Sequence, residues 1–206
     1  MSKLKLLLIS AAIGLLGTFL FNGVTDDEEL QKDIAEKILR FHVIANSNLD
    51  EDQALKLKVK DAVVDYIAPY LTETMSLDET KSVINSHKDN ILAVANNVVR
   101  ENGYDYNVTA SITTCYFPIK SYGDITLPAG DYEAFRIEIG EASGKNWWCI
   151  LYPPLCFVDV SYGIVPDSSK LLLQNILDEQ EYNAITEASD TEYSFRFLTF
   201  LKSLFR

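Results

Sequence analysis

The period of the hydrophobic pattern changes once along this chain. Up to about Asn102 the apolar residues recur every three or four positions, as on one face of a helix; beyond it they alternate, as in a strand with one buried face. Thr25 and Glu28 have capping-box spacing, and Leu30, Ile34, Ala35, Ile38 and Leu39 follow at helical intervals, which predicts an amphipathic first helix. Phe41 to Ala45 is short and rich in β-formers, so it reads as a strand that Asn46-Ser47-Asn48 ends. A second helix is predicted from about Asp50, with Leu55, Val59, Ala62, Val63, Tyr66 and Ile67 on its buried face. Asp52 and Lys56 pair one turn apart on its wet side, and Pro69 ends or kinks it. Ser76 and Glu79 form another capping box, opening helical sequence through Ile91, Leu92, Ala95, Val98 and Val99, with a break near His87 and a stop at Gly103.

After that stop, Val108, Ala110, Ile112 and Thr114 alternate, as do Phe135, Ile137 and Ile139. Gly123, Pro128-Ala129-Gly130 and the stretch from Gly140 to Gly144 supply the turns. Helices first and an antiparallel meander second predict an α+β fold, N-terminal helices packed on a mainly antiparallel sheet that the early strand at Phe41 joins. Trp147 to Leu151 reads as a buried strand between Gly144 and Pro153. Pro153 and Pro154, with fixed φ and no amide donors, break it into an extended or polyproline-like link, and Leu155 to Val158 begins a second apolar run. Beyond Asp159, Ser168 or Ser169 caps a short helix through Leu171, Leu172, Ile176 and Leu177. A polar, acidic region from Asp178 to Glu192 follows, then a terminal helical face of Phe197, Leu198, Leu201, Leu204 and Phe205. The expected organisation is a leader over residues 1–23, an α+β domain over 24–165 and a helical extension over 166–206.

Charge and cysteine content sharpen this outline. Lys3 and Lys5 precede an uncharged run from Leu6 to Phe21, the pattern of an export signal, cleaved or retained as a membrane anchor, since no clean small-x-small cleavage site follows. These two lysines are the leader's only charges, so the remainder is more acidic than the whole chain's net of −12. Such a surface argues against nucleic acid or an anionic lipid face as the main partner and leaves membrane contact to the N-terminal segment alone. Three cysteines allow one bridge and one leftover. Cys149 and Cys156 bracket the Pro-Pro link. If it turns the chain back they are within reach of a disulfide worth roughly 2.5 kcal/mol on the chain-entropy estimate, and otherwise they are small buried thiols, as Cys115 is expected to be.

The search for chemistry returns near misses. Asn46, Asn48, Asp50 and Asp52 have the alternate spacing of a calcium loop, but Glu51 replaces its glycine and Leu57 its closing glutamate. Gly140 to Lys145 is one residue short of a phosphate loop, and Ser143 is misplaced for a nucleophile elbow. His42 and His87 are the only imidazoles. With the cysteines they lack any spacing that holds zinc, so no metal or cofactor is expected. A thiol–imidazole pair of His42 with Cys149 or Cys156 is the one conceivable nucleophile, against a hydrogen-bonded histidine at a strand edge. Acidic residues such as Asp124, Asp131, Glu133 and Glu138 read as a solvated face.

Five stretches together resemble a known family: LRFHVIANS (Leu39 to Ser47), EDQALKLKVKDAV (Glu51 to Val63), YFPIKSYGD (Tyr116 to Asp124), PAGDYEAFRIEIG (Pro128 to Gly140) and NWWCILYPPLCFVD (Asn146 to Asp159). They look like the stage II sporulation protein R family, in order, over about two thirds of the chain. The resemblance implies a signalling protein made in the forespore of endospore-forming bacteria and exported into the space facing the mother cell. There it triggers a membrane-embedded aspartic protease that processes pro-sigma-E. On this reading the chain is a ligand and no enzyme, and an exported compartment favours the Cys149–Cys156 bridge. Trp147 and Trp148 are the candidate contacts if their strand lies at an edge, because alternation sends them to opposite faces; both are buried if the sheet is covered on each side. His42, Asn46 and Asp124 are further candidates from their positions beside turns. The alternative is an extracytoplasmic hydrolase of thiol or carboxylate mechanism acting on peptide or cell wall.

Overall fold

The computed structural model describes residues 28–71, 75–157 and 165–186. The expected leader, the Thr25 cap and the terminal face from Phe197 to Phe205 lie outside the described residues. The elements are α1 (28–37), β1 (Leu39–Ile44), α2 (Asp50–Ile67), α3 (Leu77–Glu101), β2 (Val108–Phe117), β3 (Lys120–Tyr122), β4 (Ile125–Leu127), β5 (Gly130–Ile139), β6 (Asn146–Tyr152), α4 (Asp167–Ile176) and α5 (179–186). This is the α+β fold that the change of period predicts.

The sheet has the order β2-β5-β1-β6, with β1 parallel to β5 and both other pairings antiparallel; β3 and β4 form a separate hairpin. The expected meander is therefore interrupted. The early strand does not merely join the sheet but is inserted between β5 and β6, and it begins at Leu39, which the helical spacing assigned to the first helix. All six residues of β1 are buried because both faces are covered. Alternation divides them: Leu39, Phe41 and Val43 enter one core with Phe135, Ile137 and Ile139 of β5, under α2 and α3. Leu55, Val59, Val63 and Ile67 of α2 meet Ile84, Ile91, Ala95 and Val99 of α3 there, each large aliphatic contributing about 1.5–3 kcal/mol. On the opposite face Ile34 of α1, the hairpin residues Ile125 and Leu127, Leu173 of α4, and Leu177 and Ile185 around α5 close a second core over Phe117, Tyr132 and Ile150.

Several local expectations hold and several change. The Ser76–Glu79 capping box is present, with the Glu79 N–H donating to Ser76 Oγ at 3.2 Å and the Ser76 N–H donating to Glu79 Oε2 at 2.7 Å. The helix it opens runs unbroken past His87, whose Nδ1 lies 2.9 Å from the Tyr66 hydroxyl across the α2–α3 seam. It ends as predicted: Gly103 has φ +83°, and the N–H groups of Gly103 and Tyr104 donate to Arg100 and Val99 in a Schellman arrangement. Helix α4 starts at Asp167 behind Pro166 with no side-chain cap, so neither Ser168 nor Ser169 caps it. The acidic stretch after it contains α5, opened by a reciprocal Asp178–Glu181 capping box. Glu181 is buried there and pairs with Lys37 of α1 at 2.5 Å.

Asp52 and Lys56 are also relocated, since both are buried and they do not pair on a wet face. Their partners lie in two loops, the turn after β1 for Asp52 and, for Lys56, the connection from β5 to β6, which must hop over the end of β1. Asn46 and Ser47 donate to Asp52 Oδ2 at 2.9 and 2.6 Å, and Lys56 donates to the carbonyl of Lys145 in that connection at 3.1 Å. Burial alone would raise the Asp52 pKa, but the Ser47 and Asn46 donors outweigh it and hold the carboxyl below the usual range. The hop passes so close that a Cβ on Gly144 would stand 2.1 Å from the Ser47 carbonyl oxygen, a backbone atom. Gly144→Ala is predicted to destabilise the fold by about 1–3 kcal/mol through overpacking, read as a lower urea midpoint at unchanged slope; an unchanged midpoint contradicts the tight crossing.

Candidate functional site

Strand β6 is one of the two edge strands of the sheet and carries both tryptophans. Alternation sends Trp147 to the α2–α3 face, where it meets Phe41 edge-on at 5.6 Å and lies under the Lys60 ammonium, 5.0 Å from the ring centroid. Trp148 goes to the opposite face, stacked on His42 at 3.9 Å and 18°, with Phe117 at 4.5 Å and Lys120 at 5.8 Å. Each is half-buried. The strand thus lies at an edge, and each ring packs against the sheet without being sealed from solvent.

His42 is buried beneath Trp148, which follows from register: Trp148 is its direct cross-strand partner on β6 and Arg136 its partner on β5. Burial, opposed in part by the neighbouring Asn146, lowers its pKa from the usual 6.5 to about 4, so the ring is neutral at physiological pH. Its Nε2 has no hydrogen-bond partner of good geometry, and its Nδ1 lies 3.8 Å from Cys115 Sγ. The thiol beside His42 is therefore Cys115. Neither Cys149 nor Cys156 takes that place, because Cys149 shares the parity of Phe41 and points into the other core. Burial pushes the Cys115 thiol up while the histidine is pushed down, so the two form a neutral contact, the reverse of the thiolate–imidazolium pair that nucleophilic catalysis uses. Among the described residues no cluster of three or more His, Cys, Asp or Glu could hold a metal ion.

Asn46 and Asp124 are engaged inside the fold. Asn46 Oδ1 accepts from the Glu141 N–H at 2.9 Å and its carbonyl from Ser143 Oγ at 2.7 Å, clasping the crossing loop. Asp124, at the β3–β4 turn beside Gly123 (φ +58°), accepts from the Val165 N–H at 3.0 Å and from Lys170. Its partial burial would raise the pKa, yet the Lys170 ammonium and the Val165 donor hold the carboxyl below its usual range.

At the far end of β6 the Pro153–Pro154 step is not an extended link. The Tyr152–Pro153 bond is cis, a 3-10 turn over Leu155–Phe157 follows, and Cys156 comes back to hydrogen-bond the Ile150 carbonyl at 2.9 Å. Sequence reasoning also passed over Arg40 and Arg136. Arg40 is fully buried, donates from Nε to the Cys149 carbonyl at 3.1 Å and from Nη2 to the Tyr122 hydroxyl at 2.7 Å, and faces the rings of Phe117, Tyr132 and Tyr122 at 4.2, 5.0 and 5.7 Å. Arg136 pairs with Glu138 at 2.6 Å on the His42 face. The available signal was parity, since Arg40 and His42 are two apart on one strand and must share a face.

The lowered His42 pKa has a stability consequence of definite sign. The unfolded chain takes up a proton near pH 6.5 that the folded ring refuses until about pH 4, so this contribution is complete above 6.5 and is lost as pH falls toward 4. His42→Phe, which keeps an aromatic surface for Trp148, should flatten the decline in thermal midpoint between pH 7 and 4.5; an unaltered slope contradicts the buried neutral ring.

Comparison with known proteins places this arrangement. The sequence profile described as Stage II sporulation protein R matches residues 35–162, which include β1 to β6. A curated relative, Stage II sporulation protein R of Bacillus subtilis (strain 168), is 36% identical over 165 residues, covering 77% of this chain and 74% of the relative. No solved structure matches the chain. The matched segment thus spans both half-buried tryptophans, the buried Arg40 and the loop that crosses β1, and the chain belongs to the stage II sporulation protein R family.

Proposed function

We propose that this chain is an exported sporulation signal, released from the forespore into the intermembrane space, that binds a membrane-embedded aspartic protease and stabilises its cleavage-competent state, so that pro-sigma-E is processed in the mother cell. Its role in sporulation follows from the family; the signalling step is the reading the geometry supports best. The observation that carries it is the pair of half-buried tryptophans on an edge strand of a domain that belongs to this family. Large aromatic rings already fixed by packing lose little freedom on binding and give up much water-exposed area, which is how protein interfaces concentrate affinity. An outer strand also offers main-chain groups to a partner strand. Among the described residues, no helix is long and apolar enough to cross a membrane.

A ligand shifts a protein equilibrium only by binding one state more tightly, so the contacts of the signal must differ between idle and competent protease. Nothing in this scheme requires bond chemistry on the signal itself. The thiol–histidine alternative is disfavoured by the neutral Cys115–His42 contact described above.

Addition of the chain from Val24 onward to the outside of vesicles carrying the protease and its sigma-factor substrate should start processing. Trp147→Ala with Trp148→Ala should raise the concentration needed by at least tenfold, each buried anchor being worth about 1–2 kcal/mol or more. Cys115→Ser should leave processing intact. Processing that proceeds without the chain, or that is abolished by Cys115→Ser in a folded protein, contradicts the proposal.

A further inference from the structure

We propose that Cys149 and Cys156 are a modification site: a dithiol that an external disulfide oxidises to an intrachain bridge, fastening the Pro153–Pro154 turn to the end of strand β6. The geometry on which this stands is a convergence. Cys149 lies in the strand, Cys156 in the 3-10 turn that follows it, and both thiols are directed at the same acceptor, the Ile150 carbonyl oxygen, at 3.8 and 2.9 Å respectively. Both are free thiols in this structure, and Cys149 lies within hydrogen-bond reach of the Cys156 thiol, so the pair is in contact without being bonded. The third cysteine is excluded by topology: Cys115 belongs to the opposite face of the sheet, with His42.

The surroundings assign the pair a structural use. Burial, with Cys149 beside it, pushes the Cys156 thiol well up, so this sulfur is not poised as a resting thiolate. The Cys149 carbonyl meanwhile accepts from the buried Arg40 Nε at 3.1 Å, so the bridge would sit beside the buried guanidinium of the neighbouring strand. The bridge would hold the C-terminal end of the strand that carries Trp147 and Trp148, limiting the fraying to which an outer strand is prone.

The step balances through ordinary exchange. Cys156, the less buried of the two, loses its proton and attacks one sulfur of the external disulfide; that bond breaks and releases a thiol, which takes the proton. Cys149 then attacks the Cys156 side of the mixed disulfide, releasing the second thiol with the second proton. The protein loses two electrons and two hydrogens, and the external disulfide becomes two thiols. Such a reagent is present outside the reducing cytosol, so the bridge would distinguish chains that have been exported from chains that have not.

The test uses the full chain, oxidised glutathione as the probe, and peptide mapping after alkylation. The expected result is a Cys149–Cys156 cross-linked peptide with Cys115 alone alkylated, and a denaturation midpoint that rises on oxidation and returns with reductant. Cys115→Ser should keep the cross-link, while Cys149→Ser, Cys156→Ser and the double replacement should abolish the midpoint shift equally. Three alkylatable cysteines after oxidation, a cross-link through Cys115, or a bridge between two chains overturns the proposal. Mapping is done on the unsubstituted chain, so misfolding of a variant does not blunt it, and it reads no protease activity, so its outcome is separate from that of the signalling proposal.

Discussion

The guanidinium of Arg40 is the constraint on which this fold turns. A cation with no exposed surface costs several kcal/mol to desolvate, and among the described residues no carboxylate pairs with it. Its cost is offset by the Cys149 carbonyl, the Tyr122 hydroxyl and three aromatic faces, and these partners come from β6, the β3–β4 hairpin, β2 and β5. One side chain on the inserted strand thus touches the other three strands of the sheet and the hairpin. Nη1 has no partner, which leaves the arrangement short of full satisfaction and dependent on the rings staying in place. Burial pushes the Tyr132 hydroxyl up to about 12 and raises the Tyr122 hydroxyl as well, so both stay neutral beside the cation, Tyr122 accepting from Arg40 Nη2 and Tyr132 donating to the Pro128 carbonyl.

That constraint also explains what could be read along the chain. Features set by neighbours in sequence were legible: the Ser76–Glu79 capping box, the Gly103 stop, the alternation of β2 and β5, and the limits of β6 between Gly144 and Pro153. Features set by the path of the chain through space were not. Period-two alternation is the same whether a strand pairs with its successor or is inserted elsewhere, so the place of β1 between β5 and β6 left no local mark. Asp52 and Lys56 have the spacing of a solvated pair, but Asp52 is held by the turn after β1 and Lys56 by the loop that crosses it. The Asp178–Glu181 box that opens α5 was a local signal within an acidic stretch, and it was passed over because the surrounding charge read as loop.

The candidate site divides along the same line. That Trp147 and Trp148 take opposite faces follows from alternation alone, whereas their position at the rim, under Lys60 and over His42, required the order of the strands. Asn46 and Asp124 were singled out because they sit beside turns. They sit there because each clasps a distant segment, Asn46 the crossing loop and Asp124 the approach to α4. The neighbour of His42 could not be chosen among three cysteines from spacing, since Cys115 reaches it across the intervening strand β5.

What emerges is a domain in which His42 and Cys115 are neutral and Asn46 and Asp124 are internally engaged, with packed aromatic rings at one edge of the sheet. For such a molecule to act as a signal, its binding must discriminate between two states of its partner, and linkage makes that discrimination measurable in reverse. The direct measurement is the affinity of the chain for the protease with and without a tight active-site inhibitor that traps the competent state. The account predicts that the inhibitor tightens binding, by fivefold or more for a coupling of about 1 kcal/mol or above; equal affinity for the two forms, or no binding to either, contradicts it.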